Sequence, residues 1–113
     1  MAENILVIIS SGEEAVGKAM TGMRFAYNAA KNKWLNDVRI ILFGPSEKLA
    51  TTNQEFASIL KDAIKDGIIP NACSAVATKE NITDKLLSIG LSVDPIGPIV
   101  SSYIKKGYEV LTF

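Results

Sequence analysis

Two short runs, Ile5–Ile9 and Val38–Phe43, constrain the fold of this chain more than any other feature. The first is apolar throughout and the second is apolar except for Arg39, and both are rich in β-branched residues. Both also stop at turn-forming residues, Ser10-Ser11-Gly12 after the first and Gly44-Pro45 after the second. A strand that faces water on one side alternates apolar with polar residues, whereas one that is apolar throughout is covered on both faces. The pattern therefore predicts strands over Asn4–Ser10 and Val38–Phe43 in a parallel sheet, with helices above and below it.

The intervening segments carry helical signals. Ser11 followed by Glu14 fits a capping box, after which Val16, Ala19, Met20, Met23, Tyr27 and Ala30 recur at helical spacing. Thr52 with Glu55 makes a second capping box ahead of Phe56, Ile59, Leu60, Ala63 and Ile64, and Gly67 suits the left-handed residue that closes such a helix. Ile68–Val76 reads as a third strand, in which Pro70, lacking an amide hydrogen, marks either the start of the strand or a sheet edge. Asn81–Ile89 reads as a short helix closed by Gly90, and Leu91–Val93 as a weak strand. Asp94 is placed to cap a helix with Pro95 in its first turn, and Tyr108–Phe113 closes the chain as a strand. Strands alternating with helices at short spacing imply right-handed crossovers and an α/β fold. The expected architecture is a three-layer α/β/α sandwich on a mainly parallel sheet of about five strands.

Composition narrows the chemistry. A chain of 113 residues suits a single domain, 1–113, and 48% hydrophobic residues are enough for one core. Twelve basic residues balance twelve acidic ones, and none of the basic residues cluster with aromatics, so nucleic acid is not an expected partner. No apolar run approaches the length of a membrane span, and Glu3 stands where a signal peptide would be basic, so the expected location is cytoplasmic. Histidine is absent and there is one cysteine, which excludes an internal disulfide, Cys/His zinc sites and Ser-His-Asp or Cys-His catalysis within one chain. No cofactor or metal is expected, and a thiolate or carboxylates remain as the available reactive groups.

Two segments could carry that chemistry. Gly12-Glu13-Glu14-Ala15-Val16-Gly17-Lys18-Ala19 approaches the glycine and lysine spacing of a phosphate-binding P-loop. Ala19, however, replaces the hydroxyl that would hold magnesium, and two glutamates would repel phosphate, so the chain is not expected to hydrolyse nucleotides. Anion binding without hydrolysis at Ser10-Ser11-Gly12, through helix amides, stays open. The other segment holds Cys73, near the carboxyl end of the third strand, where ligands of open parallel sheets bind. The rim around it would comprise Ser10, Ser11, Gly12, Gly44, Ser74, Lys79 and Asp94. Amides of the following helix and Lys79 would favour a thiolate. Equally, Ala72, Cys73, Ala75 and Val76 have the composition of a core strand, which would make the cysteine structural.

Taken in order, the opening strand, the Ser11–Glu14 helix start, the Gln54–Gly67 helix and Ile68-Ile69-Pro70-Asn71-Ala72-Cys73-Ser74 resemble the DsrE/DsrF-like (YchN-like) family across nearly the whole chain. Leu86-Leu87 after a polar loop, and the closing Ile96–Tyr108, are similar to the family's later region. The resemblance implies a parallel three-layer sheet and homo-oligomers, trimers or hexamers. It also implies, from the sulfur-relay members, that the cysteine matched by Cys73 accepts sulfur as a persulfide or thiosulfonate and passes it on. With no second cysteine in the chain, donor and acceptor would be other proteins. The alternative expectation is a non-catalytic oligomer that binds a small ligand or a partner at the loop rim.

Overall fold

The computed structural model describes residues 3–113. Its five strands are β1 (Asn4–Ile9), β2 (Asp37–Leu42), β3 (Asn71–Cys73), β4 (Ser92–Asp94) and β5 (Glu109–Thr112). All pair in parallel, in the order β4-β3-β2-β1-β5. The helices are α1 (Val16–Lys31), α2 (Pro45–Thr52), α3 (Gln54–Lys65), α4 (Ser74–Lys79), α5 (Thr83–Ile89) and α6 (Ile96–Lys105).

Topology decides which face each helix covers. The chain steps in one direction from β1 to β4, so right-handed crossovers place α1 through α5 on one face. The return from β4 to β5, beyond β1, places α6 on the other. The side chains follow this division. Ile5, Val7, Ile9, Ile40 and Leu42 pack with Met20 and Met23 of α1 and with Phe56 and Leu60 of α3. Leu6, Ile41 and Cys73 point the opposite way and pack with Ile96 of α6. Burial on both faces is why β1 carries no polar alternation.

Several boundaries depart from the sequence expectations. Pro45 opens the eight-residue helix α2, which the sequence reading missed, because proline's fixed φ suits the first helical position as well as it suits a turn. Thr52 therefore ends α2 and does not cap α3. Asn53, extended at φ −111° and ψ 114°, separates the two helices, and its side chain accepts the Phe56 N–H at 2.9 Å. Ser11 does not cap α1. Glu14 instead accepts the Gly12 N–H at 2.9 and 3.1 Å, and a short 3-10 turn over Glu13–Ala15 leads into the helix.

The third strand starts after Pro70 and is interior, between β2 and β4, so the edge alternative is wrong. It also ends early. Ser74 begins α4, and the segment expected to continue the strand and then form a polar loop is helical, in keeping with its alanines. Asp94 does not cap α6. Its carboxylate stays in the sheet, accepting Asn71 Nδ2 at 2.9 Å and Ser92 Oγ at 2.5 Å. Gly67 and Gly90 adopt positive φ, +85° and +112°, as helix-closing residues.

Candidate functional site

The parallel sheet brings the carboxyl ends of β1, β2, β3 and β4 to one rim. Ser10, Ser11 and Gly12 follow β1, Gly44 through Glu47 follow β2, Cys73 and Ser74 lie at the junction of β3 and α4, and Asp94 ends β4. The first two loops are locked together. The Ser46 amide donates to the Ser10 carbonyl at 3.1 Å, and the Ser46 hydroxyl donates to the Ile9 carbonyl. Gly12 lies so close to Pro45 that a Cβ would fall 2.5 Å from the Pro45 carbonyl oxygen, so no side chain fits there.

This packing removes the amides that an anion would need. Ser10 and Ser11 both donate their N–H groups to the Phe113 carbonyl, at 2.8 and 3.2 Å, and the Gly12 N–H is held by Glu14. Lys18 is exposed on α1. The P-loop-like segment is thus a helix start, and the Ser10, Ser11 and Gly12 amides that lead into it are already engaged.

Cys73 stands directly opposite Asp94 in the β3–β4 register, and its thiol lies on the α6 face against Leu6, Ile41 and Ile96. It is 6% exposed. Ser74 is half-buried at the start of α4. Lys79 occupies the far end of that helix, exposed, and forms no ion pair among the described residues, so the cation expected beside the thiol is not there.

Sequence reasoning missed the remaining rim residue, Glu47. It sits in the first turn of α2, and its carboxyl is fully buried. Oε2 accepts the Gly44 N–H at 3.1 Å, which is why a glutamate three residues after the glycine suits this helix start. Oε1 is buried without a hydrogen-bond partner. Burial pushes the Glu47 carboxyl up to about 7, against the opposing pull of the Gly44 and Cys73 backbone amides. The Cys73 amide therefore bears on this carboxyl, although it closes no hydrogen bond to Oε1. The one signal in the sequence was the Gly44-to-Glu47 spacing.

A concavity of about 570 Å³ lies at the opposite end of the strands, among Trp34, Asp37, Arg39 and Ile69, and its lining holds no cysteine, serine or threonine. No described helix is long and apolar enough to cross a membrane.

Solved structures share this architecture end to end. A conserved protein of unknown function from Bacteroides thetaiotaomicron superposes with a TM-score of 0.83 at 22% identity, covering 97% of this chain and 95% of the other. The YchN protein from E. coli superposes with a TM-score of 0.75 at 14% identity, covering 97% and 99%. The chain has the YchN-like fold. A protein of unknown function from Methanobacterium thermoautotrophicum matches over the full length of both chains, with a TM-score of 0.67 and 18% identity. No protein-family model matches the chain, and no curated protein is significantly similar to it. At these identities the likeness fixes the YchN-like fold, and the chemistry rests on the residues at the rim.

Proposed function

We propose that this protein is a single-domain sulfur carrier, with Cys73 as the residue that holds the sulfur. The observation that carries the reading is the position of the only cysteine, at the carboxyl end of β3 in a YchN-like fold, on the rim where parallel-sheet proteins bind ligands. The Cys73 thiolate attacks the outer sulfur of a donor persulfide. A Cys73–sulfur bond forms, the donor's sulfur–sulfur bond breaks, and the donor leaves as a thiolate, with no net oxidation. An acceptor thiolate then takes the outer sulfur and Cys73 leaves as the thiolate. Donor and acceptor are other proteins, the carrier works as a homo-oligomer, a trimer or hexamer, in the cytoplasm, and no cofactor takes part.

Because the thiol is only slightly exposed, loading needs a local opening over Cys73, and small polysulfides should load it faster than bulky aromatic disulfides react with it. The test is transfer. Protein preloaded with polysulfide and freed of excess should deliver sulfane sulfur to a small acceptor thiol in one-to-one proportion to the loaded Cys73. Delivery undiminished in Cys73→Ser would contradict the reading.

A second reading is favoured by the packing of Cys73 among Leu6, Ile41 and Ile96. In it the cysteine is structural and the protein is a non-catalytic oligomer that binds a small ligand or partner. An inert thiol in the native protein that becomes reactive on unfolding would select it.

A further inference from the structure

The two edges of the sheet are protected differently. β4 has only three residues, carries the Asp94 carboxylate and runs into Pro95, and each of these discourages pairing by another strand. β5 has none of these devices. Its sequence, Glu109-Val110-Leu111-Thr112, is free of lysine and proline. Its register puts Val110 beside Leu6 on the α6 face and Leu111 beside Val7 on the α1 face. Val110 is 39% and Leu111 41% exposed, so β5 has the two-sided apolar composition of an interior strand yet stands at an edge.

The backbone of β5 is equally open. Phe113 donates its N–H to the Ile8 carbonyl and accepts the Ser10 N–H, both at 2.8 Å, so by alternation Glu109 and Leu111 also belong to the ladder with β1. The N–H and C=O groups of Val110 and Thr112 therefore point away from the sheet, where no described strand meets them.

Such a strand complements a copy of itself. Opposite residues of an antiparallel pair share a face. A two-fold axis at Leu111 thus sets Leu111 against Leu111 of the second copy on the α1 face, and Val110 against Thr112 of the second copy on the α6 face. Each Val110–Thr112 pair exchanges two backbone hydrogen bonds, which uses all four outward groups of each copy. The charges match as well. The same axis puts Glu109 opposite Phe113 of the second copy. Phe113 packs so closely on α1 that a Cβ at Gly22 would fall 2.6 Å from its ring, and Lys18 lies one helical turn before Gly22. Glu109 of one copy is thereby directed toward Lys18 of the second copy. Both side chains are exposed, and neither forms an ion pair among the described residues.

Resting on the homo-oligomer of the proposed function, we propose that β5 pairs antiparallel with β5 of a second copy of this chain across a two-fold axis at Leu111, joining the two sheets into one. A closed ring of three has no two-fold axis, so of the trimer and the hexamer only the hexamer accommodates this interface.

The test is disulfide trapping in the Cys73→Ser background, which removes the carrier thiol and so makes the outcome independent of sulfur chemistry. Directly opposite Cα atoms lie about 4.5 Å apart in a non-hydrogen-bonded antiparallel pair and about 5.5 Å in a hydrogen-bonded one, both within disulfide reach, whereas diagonal neighbours lie about 7–8 Å apart. Under mild oxidation Leu111→Cys should form a covalent dimer, Val110→Cys alone should not, and Val110→Cys mixed with Thr112→Cys should give the mixed dimer. Trapping at Val110→Cys as efficient as at Leu111→Cys, or none at Leu111→Cys, overturns the inference. A second variant uses the free amide. Val110→Pro leaves the β1 ladder intact and removes one hydrogen bond per copy from the interface, so sedimentation should show self-association weakened roughly tenfold or more. Unchanged association of a folded Val110→Pro overturns the inference. A trimer that traps nowhere overturns the two-fold pairing and leaves the homo-oligomer standing. A purified protein that stays monomeric overturns both and leaves β5 to a strand of another protein.

Discussion

Glu47 makes the stability of this fold depend on pH in a direction opposite to that of a salt-bridged carboxylate. Its ordinary value is 4.5 and the fold raises it to about 7. Below the unfolded value both states are protonated and the folded state bears no charge penalty. As pH rises through this window the unfolded chain ionises first, so stability is lost until the folded carboxyl also titrates. At about 1.4 kcal/mol per unit the window is worth roughly 3 kcal/mol. Urea unfolding of wild type and Glu47→Gln at about pH 4.5 and about pH 8 should therefore show the variant gaining a few kcal/mol relative to wild type at the higher pH. A constant difference between the two proteins would remove the buried ionisation from the account. The same residue shows what one sequence withholds. Cys73 was legible as a candidate because it is the only thiol, but nothing local marks Glu47 as buried, since its burial is produced by strand ends distant in sequence.

At the scale of elements, the join between α2 and α3 gives a sharp test of the corrected boundary. Asn53 Oδ1 satisfies the Phe56 N–H, whereas Thr52 bonds back to the Lys48 carbonyl within α2. Asn53→Ala should cost about 1 kcal/mol, and Thr52→Ala at most a few tenths. The reverse order in thermal or urea unfolding would restore Thr52 as the cap. The error has a physical source. Threonine and asparagine are both good caps, so the choice between them depended on α2, which is hidden behind Gly44-Pro45, residues that signal a turn as readily as a helix start. Long buried strands read well because two-sided burial is written into consecutive residues, as in Ile5–Ile9. Three-residue strands such as β3 and β4 carry no period, and the extent of β3 was accordingly overestimated.

For the whole molecule, the strand order gathers one thiol, one buried carboxyl and the two small-residue loops after β1 and β2 at the same rim. It covers one sheet face with α1 through α5 and the other with α6, to which Val76 of α4 also packs. Alternation of strand and helix predicted the parallel sandwich, because right-handed crossovers leave few other arrangements. The position of β5 beside β1, which sends α6 to the far face and so determines what packs over Cys73, depends on the return connection and could not be read from periodicity. The central claim is that this architecture serves a thiol that holds sulfur. Intact-mass spectrometry of the native protein after incubation with polysulfide, beside Cys73→Ser, tests it most directly. The account predicts the addition of sulfur to wild type alone, reversed by reductant. Equal loading of both proteins, or none on a wild type whose native thiol is also inert to titration, would contradict it.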